Sequence, residues 1–330
     1  YCRNALGSQM FDLQDIKNIK CFCGSMSLEI VDSLIDYHKK NHNIGIISSR
    51  RQIDSDSGYV NNWNTQTFTE YVKSKSSILL ERDHAGPCQG DYIDNGVDSL
   101  LNDCQYFDVV HIDPWKVADS VLEGSERTVE LIIKCSEKNP TILFEVGTEQ
   151  NIKQIHPEEL EFLLSYLKQN LTSRQYNNIV YAVIQSGMKI ESGENSGDFS
   201  TEKTQEYIDV CNNLQVLSKE HNTDYCDPSI FKELFSMGVD SINIAPQIAS
   251  IQSQHMMSYE SEMNNDKLFE LCLKTNRWQK WFPKDFDPKE NKDKLILCCG
   301  HYAFSELDFC IKQSQVLSDT IASFINEILP

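Results

Sequence analysis

The sequence alternates short apolar runs with amphipathic segments, and this alternation constrains the fold more than any other feature. Between most of the runs lie segments with helical spacing, as in PEELEFLLSYLKQ, where Leu160, Leu163 and Leu167 form one apolar face. The apolar runs are short and rich in β-branched residues, as strands are. The eight predicted strands are IKCFCG (19–24), IGIISS (45–49 with its neighbours), SILLERD (77–83), FDVVHID (107–113), PTILFEVG (140–147), NIVYAVIQS (178–186), LQVLSKEH (214–221) and VDSINIAP (239–246).

Strands that alternate with helices pair in parallel, because each helix returns the chain through a right-handed crossover. Eight such units over about 230 residues match the size of a closed (β/α)8 barrel. An open doubly wound sheet is the alternative, but CGSMS follows the first strand, where the dinucleotide-binding version carries GxGxxG. We therefore predict an α/β protein with an N-terminal segment (1–18), a (β/α)8 TIM barrel (19–250) and a mostly helical C-terminal extension packed on the barrel (251–330).

The charge balance excludes several classes of partner. The 330 residues include 30 Lys and Arg against 49 Asp and Glu, which gives a formal net charge of −19. Such a chain repels phosphodiester backbones and anionic lipid, so we predict no binding to nucleic acid or to membranes. No apolar run reaches the roughly 18 residues that span a bilayer, and no signal peptide is visible. We therefore predict a cytoplasmic protein whose 12 irregularly spaced cysteines are reduced.

Polar side chains follow six consecutive predicted strands, at the point where each strand ends. In a parallel barrel these ends open onto one mouth, so we expect the side chains to converge there. Two imidazoles and a carboxylate from separate strands are a set that holds a catalytic metal with one open position. The residue types alone leave open whether the mouth binds a metal or is only polar. The residues concerned are Asp83, His84, His111, Asp113, Glu145, Glu149, Gln185, Glu220, His221 and Asn243.

Two turns at the same end of the barrel suit an anion. Ser186-Gly187 follows the sixth predicted strand and Ala245-Pro246 follows the eighth. Exposed backbone N–H groups, reinforced by a following helix N-terminus, bind phosphate without Lys or Arg. For each turn the alternative is an ordinary tight connection between strand and helix.

Several motifs occur together in an order typical of one family. They are GSMSLEIVDSLIDYHKK, ISSRRQIDSDSGYVNNWNTQTFTEYV, RDHAGP, VVHID, FEVGTEQ, VIQSG, KEHNTDY and GVDSINIAP. In these motifs the sequence resembles the Z-type subunit of D-tagatose-1,6-bisphosphate aldolase, a family once labelled tagatose-6-phosphate kinase. It is similar, more distantly, to the class II fructose- and tagatose-bisphosphate aldolases. The resemblance covers roughly residues 20 to 250 and implies a TIM barrel of metal-dependent aldolase ancestry.

The resemblance also implies catalytic and metal-binding roles. Asp83 stands where class II aldolases keep their acid/base aspartate, and we predict it to be catalytic. Asn243 matches an asparagine that contacts substrate, and we predict that it holds the hydroxyl groups of a ketose during catalysis. His84, Glu145 and His221 match residues at the metal in that superfamily. We predict these three as ligands of a divalent metal, zinc.

Further positions are predicted to contact the substrate. Gln52 matches a glutamine of the family motif after the second strand, and Gly187 falls in a turn that binds phosphate in the class II aldolases. Asp113, Glu149 and Gln185 lie at or just after strand ends, where they would line the mouth.

One departure from the class II pattern bears on activity. Those aldolases place a zinc-binding histidine where this chain has Gln185. The Z-type family shows glutamine there and is described as a non-catalytic partner subunit. Two functions therefore stay open.

The first function is a class II aldolase-like enzyme of carbohydrate metabolism that reversibly cleaves a ketose (bis)phosphate with a metal. The second is a non-catalytic subunit that stabilises or activates a tagatose-bisphosphate aldolase. The expected partners are a sugar-phosphate substrate and either an aldolase catalytic subunit or further copies of this chain. A sugar kinase is not supported, because no phosphate-cradling Gly-Lys loop is present.

Overall fold

The computed structural model describes residues 13–307 and 314–330. Eight parallel strands form its centre: β1 (Cys21–Gly24), β2 (Ile44–Ser49), β3 (Leu80–Ala85), β4 (Val109–Ile112), β5 (Leu143–Val146), β6 (Ile179–Ile184), β9 (Leu217–Glu220) and β10 (Ser241–Ile244). A short antiparallel hairpin follows β6 and consists of β7 (Ile190–Glu191) and β8 (Glu194–Asn195). The eight strands close in the order β1-β10-β9-β6-β5-β4-β3-β2, so the predicted (β/α)8 barrel is confirmed.

Helices connect consecutive strands and surround the barrel. Their starts follow local capping chemistry: the side chains of Ser27, Asn64 and Ser120 each accept a backbone N–H from the first turn of the helix that follows. The helices are α1 (Leu13–Asn18), α2 (Leu28–Asn41), α3 (Thr65–Lys75), α4 (Val97–Tyr106), α5 (Val121–Lys138), α6 (Pro157–Asn170), α7 (Ser173–Asn177), α8 (Thr201–Leu214), α9 (Pro228–Met237), α10 (Pro246–Tyr259), α11 (Glu262–Lys274), α12 (Lys292–Cys299) and α13 (Ser314–Ile328).

The amino-terminal end of the barrel is filled by apolar side chains. Ile16 of α1 is buried with Phe22 and Tyr181, and the Tyr181 hydroxyl donates to the Ile16 carbonyl oxygen at 3.0 Å. Gly45 on β2 makes room for this packing, since a Cβ at that position would lie 2.6 Å from the Phe22 ring. With this end closed, the opposite end of the barrel is the one open to a ligand.

The chain beyond the barrel contributes two separate pieces of packing. Helix α10 runs to Tyr259, past the predicted boundary at residue 250. Helices α11 and α12 share a second apolar core with the end of α10, built on Met256, Leu268 and Leu295. Helix α13 returns to the barrel, where its apolar face joins the main core and the Tyr37 hydroxyl donates to Asn326 at 2.8 Å. Of the predicted N-terminal segment, residues 1–12 lie outside the described part.

The cysteines of the described residues are unpaired. Ten of them are present there as free thiols, most of them buried, as predicted for reduced cysteines. Cys2 and Cys310 lie outside the described residues. In the same part of the chain, no helix combines the length and apolar character required to cross a membrane.

Candidate active site

Strand β3 delivers two functional side chains in succession because its end is irregular. Its pairing with β4 shifts register between Arg82 and Ala85, which marks a bulge. Within that bulge His84 has φ 46°, in the left-handed region that a non-glycine residue adopts at a cost in conformational energy. In a regular strand neighbouring side chains point to opposite faces. The bulge allows Asp83 and His84 to face the barrel mouth together.

Four ligand-type side chains converge at the carboxyl ends of β3, β4 and β9. One atom each from Asp83, His84, His111 and His221 lies within 4.8 Å of the other three. Around Asp83 Oδ1 stand His84 Nε2 at 3.6 Å, His111 Nδ1 at 3.8 Å and His221 Nδ1 at 3.9 Å. These distances are too long for hydrogen bonds, and within the described structure this buried oxygen has no hydrogen-bond partner. The spacing suits atoms that surround a common metal ion.

The second ring nitrogens of His84 and His111 are directed away from that cluster. His84 Nδ1 lies 2.6 Å from Asp113 Oδ2, and His111 Nε2 lies 3.0 Å from the carbonyl oxygen of Gly147. Each contact fixes a ring orientation and places the proton on the outer nitrogen, as at metal-binding histidines. The backbone N–H of His84 also points at His111 Nδ1, at a distance of 3.3 Å.

His221 is oriented by a carboxylate that reaches up from the barrel core. Its Nε2 contacts Oε1 of Glu145, while Oε2 of Glu145 accepts from Lys219 Nζ at 2.6 Å. Lys219 also donates to Glu81 Oε2 at 2.7 Å. Burial opposes ionisation of Glu145, but the charges of Lys219 and His221 hold its pKa well below the usual range. Burial and the charge of Glu145 raise the pKa of Glu81.

The electrostatics of the mouth favour a cation. Burial opposes a charge on His84, yet the carboxylates of Asp83, Asp113 and Glu149 raise its pKa well above the usual value. Burial likewise opposes ionisation of Asp83, and the neighbouring imidazoles, above all His84, lower its pKa. A pocket that stabilises positive charge on an imidazole in this way also attracts a metal ion.

Most of the predicted site residues meet at one cavity of about 250 Å³ at the barrel mouth. Four predicted residues do not line it. Asp113 and Glu145 lie behind His84 and His221, respectively. The Gln185 amide donates to the backbone oxygens of residues 148 and 153 and so holds the loop after β5. Gly187 has φ 100° in a turn packed on Asp198. The predicted residues that line the cavity are Gln52, Asp83, His84, Glu149, His221 and Asn243.

Two groups of site residues were not selected from the sequence. The sequence places His111 at a strand end without predicting it as a ligand, although its pattern VVHID repeats the polar strand ending of RDHAGP. Residues Lys280, Trp281, His301 and Tyr302 of the extension cover the same cavity. No periodicity or motif in the sequence indicates that the extension folds back over the mouth.

The chain's own carboxylates take the backbone donors of the two turns considered for an anion. Ser186 N–H donates to Glu220 at 2.7 Å. The N–H groups of Ala245 and Gln247, at the start of α10, donate to Asp224 at 3.0 and 2.8 Å. Burial raises the pKa of Asp224 to about 7. An internal carboxylate therefore stands where a helix N-terminus would otherwise receive a ligand.

Comparison with known proteins gives structural relatives at low sequence identity. No family model and no curated protein sequence matches the chain. A probable tagatose 6 phosphate kinase from Sinorhizobium meliloti 1021 superposes with a TM-score of 0.70 at 15% identity, over 93% of this chain and 87% of that one.

Two further structures extend the comparison. The fructose-bisphosphate aldolase of Campylobacter jejuni gives a TM-score of 0.58 at 13% identity, over 95% of this chain and 91% of that one. The fructuronate-tagaturonate epimerase UxaE of Cohnella laeviribosi gives 0.62 at 10% identity, over 97% and 80%. At these identities the likeness establishes the fold. The chain has the (β/α)8 barrel fold of these aldolase-, epimerase- and tagatose-6-phosphate-kinase-like proteins.

Proposed function

We propose that this chain is a metal-dependent carbon–carbon lyase, an aldolase that cleaves and forms a bond in a ketose phosphate. The observation that carries the proposal is the arrangement of three imidazole nitrogens around the unpartnered buried oxygen of Asp83. The shared barrel fold of the aldolases supports it. Below the mouth, the buried Lys219 forms ion pairs with Glu81 and Glu145.

The residues present fit a divalent metal. His84, His111 and His221 would hold it, since their outer nitrogens are already engaged and their inner nitrogens face one point. Metal binding by His111 would replace the His84 backbone N–H that its Nδ1 accepts at 3.3 Å. Three imidazole ligands suit catalytic zinc, and we assign the fourth position to the substrate and Asp83, the remaining member of the cluster, to proton transfer. We assign Glu145 to positioning His221 and not to the metal itself, because its two oxygens contact His221 and Lys219.

The remaining side chains match the chemistry of aldol cleavage. When bound, the metal would supply a Lewis acid that polarises the ketose carbonyl. Asp83 would take the proton of the substrate hydroxyl whose carbon becomes the new carbonyl, and would return it in the reverse reaction. Asn243 Oδ1 and Asn222 Nδ2 are buried at the cavity without partners among the described residues. They would accept from and donate to sugar hydroxyls.

The alternative of a non-catalytic subunit rests on Gln185. In the structure this side chain is fully used in holding the backbone of residues 148–155, so it takes no part in the mouth. Three imidazoles are nevertheless present, because His111 joins His84 and His221. The glutamine therefore does not remove the donor set that an active enzyme requires.

The direct test is an aldol-cleavage assay on the zinc-loaded chain with a panel of ketose phosphates, coupled to detection of the triose product. We expect turnover on at least one member, abolished by a chelator and restored by zinc. A zinc-loaded, folded chain that cleaves none of them, but that raises the activity or stability of an added class II aldolase, would favour the subunit function instead.

A further inference from the structure

The two sides of the barrel mouth differ in the groups that an entering anion would meet. On the side of β9 and β10, Asp224 is 2% exposed and accepts from the first turn of the 14-residue helix α10. Glu220, 1% exposed, accepts the N–H groups of Ser186 and Asn222 at 2.7 and 3.1 Å. A phosphate entering here would have to displace the Asp224 and Glu220 side chains from the backbone N–H groups that they already occupy.

Cations line the opposite side. A second cavity of about 840 Å³ adjoins the first, and His84, Glu149 and Arg51 line both. Lys116 and Lys280 face this second cavity, so three cationic side chains approach it from separate parts of the fold. Arg51 follows β2, Lys116 follows β4, and Lys280 belongs to the extension. The chain has a net charge of −19, so three cationic side chains at one cavity are unusual, and a bound anion would account for them.

Glu149 and Glu191 also line this cavity, but among the described residues their ion pairs are with His84 and Lys189 and not with these three cations. Asp91 lies 3.4 Å from Arg51 Nε, but it is also the partner of Arg277, which donates to it at 3.0 Å. Lys116 Nζ donates to the backbone oxygen of residue 88 at 3.3 Å. For Lys280 Nζ, no hydrogen bond or ion pair is present among residues 13–307 and 314–330. It lies 5.2 Å from the Tyr302 ring.

The pKa values of the two lysines are lowered at this cavity. Desolvation and then the charge of Arg51 lower the pKa of Lys116, and the same two causes, with Arg277, lower the pKa of Lys280 to about 8. The His301 ring lines the first cavity beside Lys280, is 2% exposed, and has an Nδ1 atom without a partner in the described structure. A bound anion would relieve the repulsion and offer that nitrogen a partner.

We propose that Arg51, Lys116 and Lys280 bind the one phosphate of the substrate, and that Asp224 fills the second anion position of the mouth. The substrate class is therefore a sugar monophosphate and not a bisphosphate. The identity of the sugar rests on the function proposed above, whereas phosphate binding does not require turnover.

The first experiment is calorimetric titration of the zinc-loaded chain with inorganic phosphate. We expect one site per chain, weakened about tenfold by Arg51→Gln and by Lys280→Gln, since each removes a charged donor. Lys274→Gln, an exposed lysine of α11, is the matched control and should bind as the unaltered chain does. Equal affinity in all four proteins would overturn the proposal.

Two further arms separate the possible sources of the anion. Glycolate, which offers a carboxylate, should bind at least tenfold more weakly than phosphate; equal or tighter binding would overturn the assignment of a phosphate.

Asp224→Gly should raise the stoichiometry from one phosphate per chain to two. Fructose 1,6-bisphosphate should displace phosphate no better than fructose 6-phosphate, a comparison that needs no variant. Tenfold better displacement by the bisphosphate would refute the closure by Asp224.

The outcomes for the two proposals are distinguishable. Phosphate binding that depends on Lys280, together with no cleavage of any ketose phosphate, would sustain this inference and reject the aldolase. Cleavage of a ketose phosphate by a chain whose phosphate affinity does not depend on Arg51 and Lys280 would support the aldolase and reject this inference.

Discussion

Lys219 Nζ lies 2.6 Å from Oε2 of Glu145 in the closed interior of the barrel, and the other oxygen of the same carboxylate contacts the ring of His221 at the mouth. One carboxylate thus joins the packing of the core to the orientation of a candidate metal ligand. Lys219 and Glu145 are both fully buried. We therefore expect a change in the core pair to alter both stability and metal binding.

Lys219→Met should lower the free energy of unfolding by about 3–5 kcal/mol, because it leaves Glu81 and Glu145 buried without their cation. Chemical denaturation measures this change. Lys134→Met is the control, since its ion pair with Glu130 is exposed and contributes less than about 1 kcal/mol. Similar losses in the two variants would show that the buried lysine has no special role.

Asp113→Asn should weaken zinc binding by about 10- to 100-fold while the fold is retained, because Asp113 orients His84 from behind. Competition with a chromogenic chelator gives the affinity, and circular dichroism checks the fold. Asp36→Asn, an exposed position in α2, should leave zinc affinity unchanged. Wild-type affinity in the Asp113 variant would argue against His84 as a ligand.

Asp83→Asn should reduce turnover at least about 100-fold while one zinc per chain remains bound, since an amide cannot accept the substrate proton. Steady-state kinetics and elemental analysis of the same sample separate the two effects. Loss of zinc from this variant would instead make Asp83 a ligand, and near-normal turnover would remove it from catalysis.

Phosphate affinity should fall as pH rises through about 8, because Lys280 is charged below its lowered pKa and neutral above it. The measurement is phosphate titration between about pH 7.5 and 9.5, where the loss should be absent in Lys280→Gln. A pH profile identical in the two proteins would contradict the assignment. The charged and titratable groups around Lys280 are Arg51, Asp91, Arg277, Cys299, His301 and Tyr302.

The sequence predicted the strands and the mouth because both follow local patterns. Apolar runs define β1 to β6, β9 and β10, and the polar residues after them meet wherever parallel strands close a barrel. The ligand set could not be predicted from local patterns alone. His84 faces the mouth beside Asp83 only because β3 bulges between Arg82 and Ala85, and that bulge depends on how β3 pairs with β4.

The sequence also does not predict that the C-terminal extension packs over the barrel mouth. Lys280 and His301 reach the cavity because α11 and α12 pack on the end of α10, a tertiary contact with no periodic signature. The role of Asp224 depends on its distance from the start of α10, which becomes short only when β9 and β10 pair. The spacing of residues along the chain predicts neither the packing of α11 and α12 on α10 nor the contact between Asp224 and the start of α10.

The metal content of the purified chain, measured by elemental analysis after exposure to zinc, tests the central claim most directly. We predict about one zinc per chain in the unaltered protein and in the control His42→Asn, an exposed residue in the left-handed conformation that asparagine tolerates. His111→Ala should lose most of that zinc while remaining folded. Full zinc content in His111→Ala, or none in the unaltered chain, would contradict the three-histidine site.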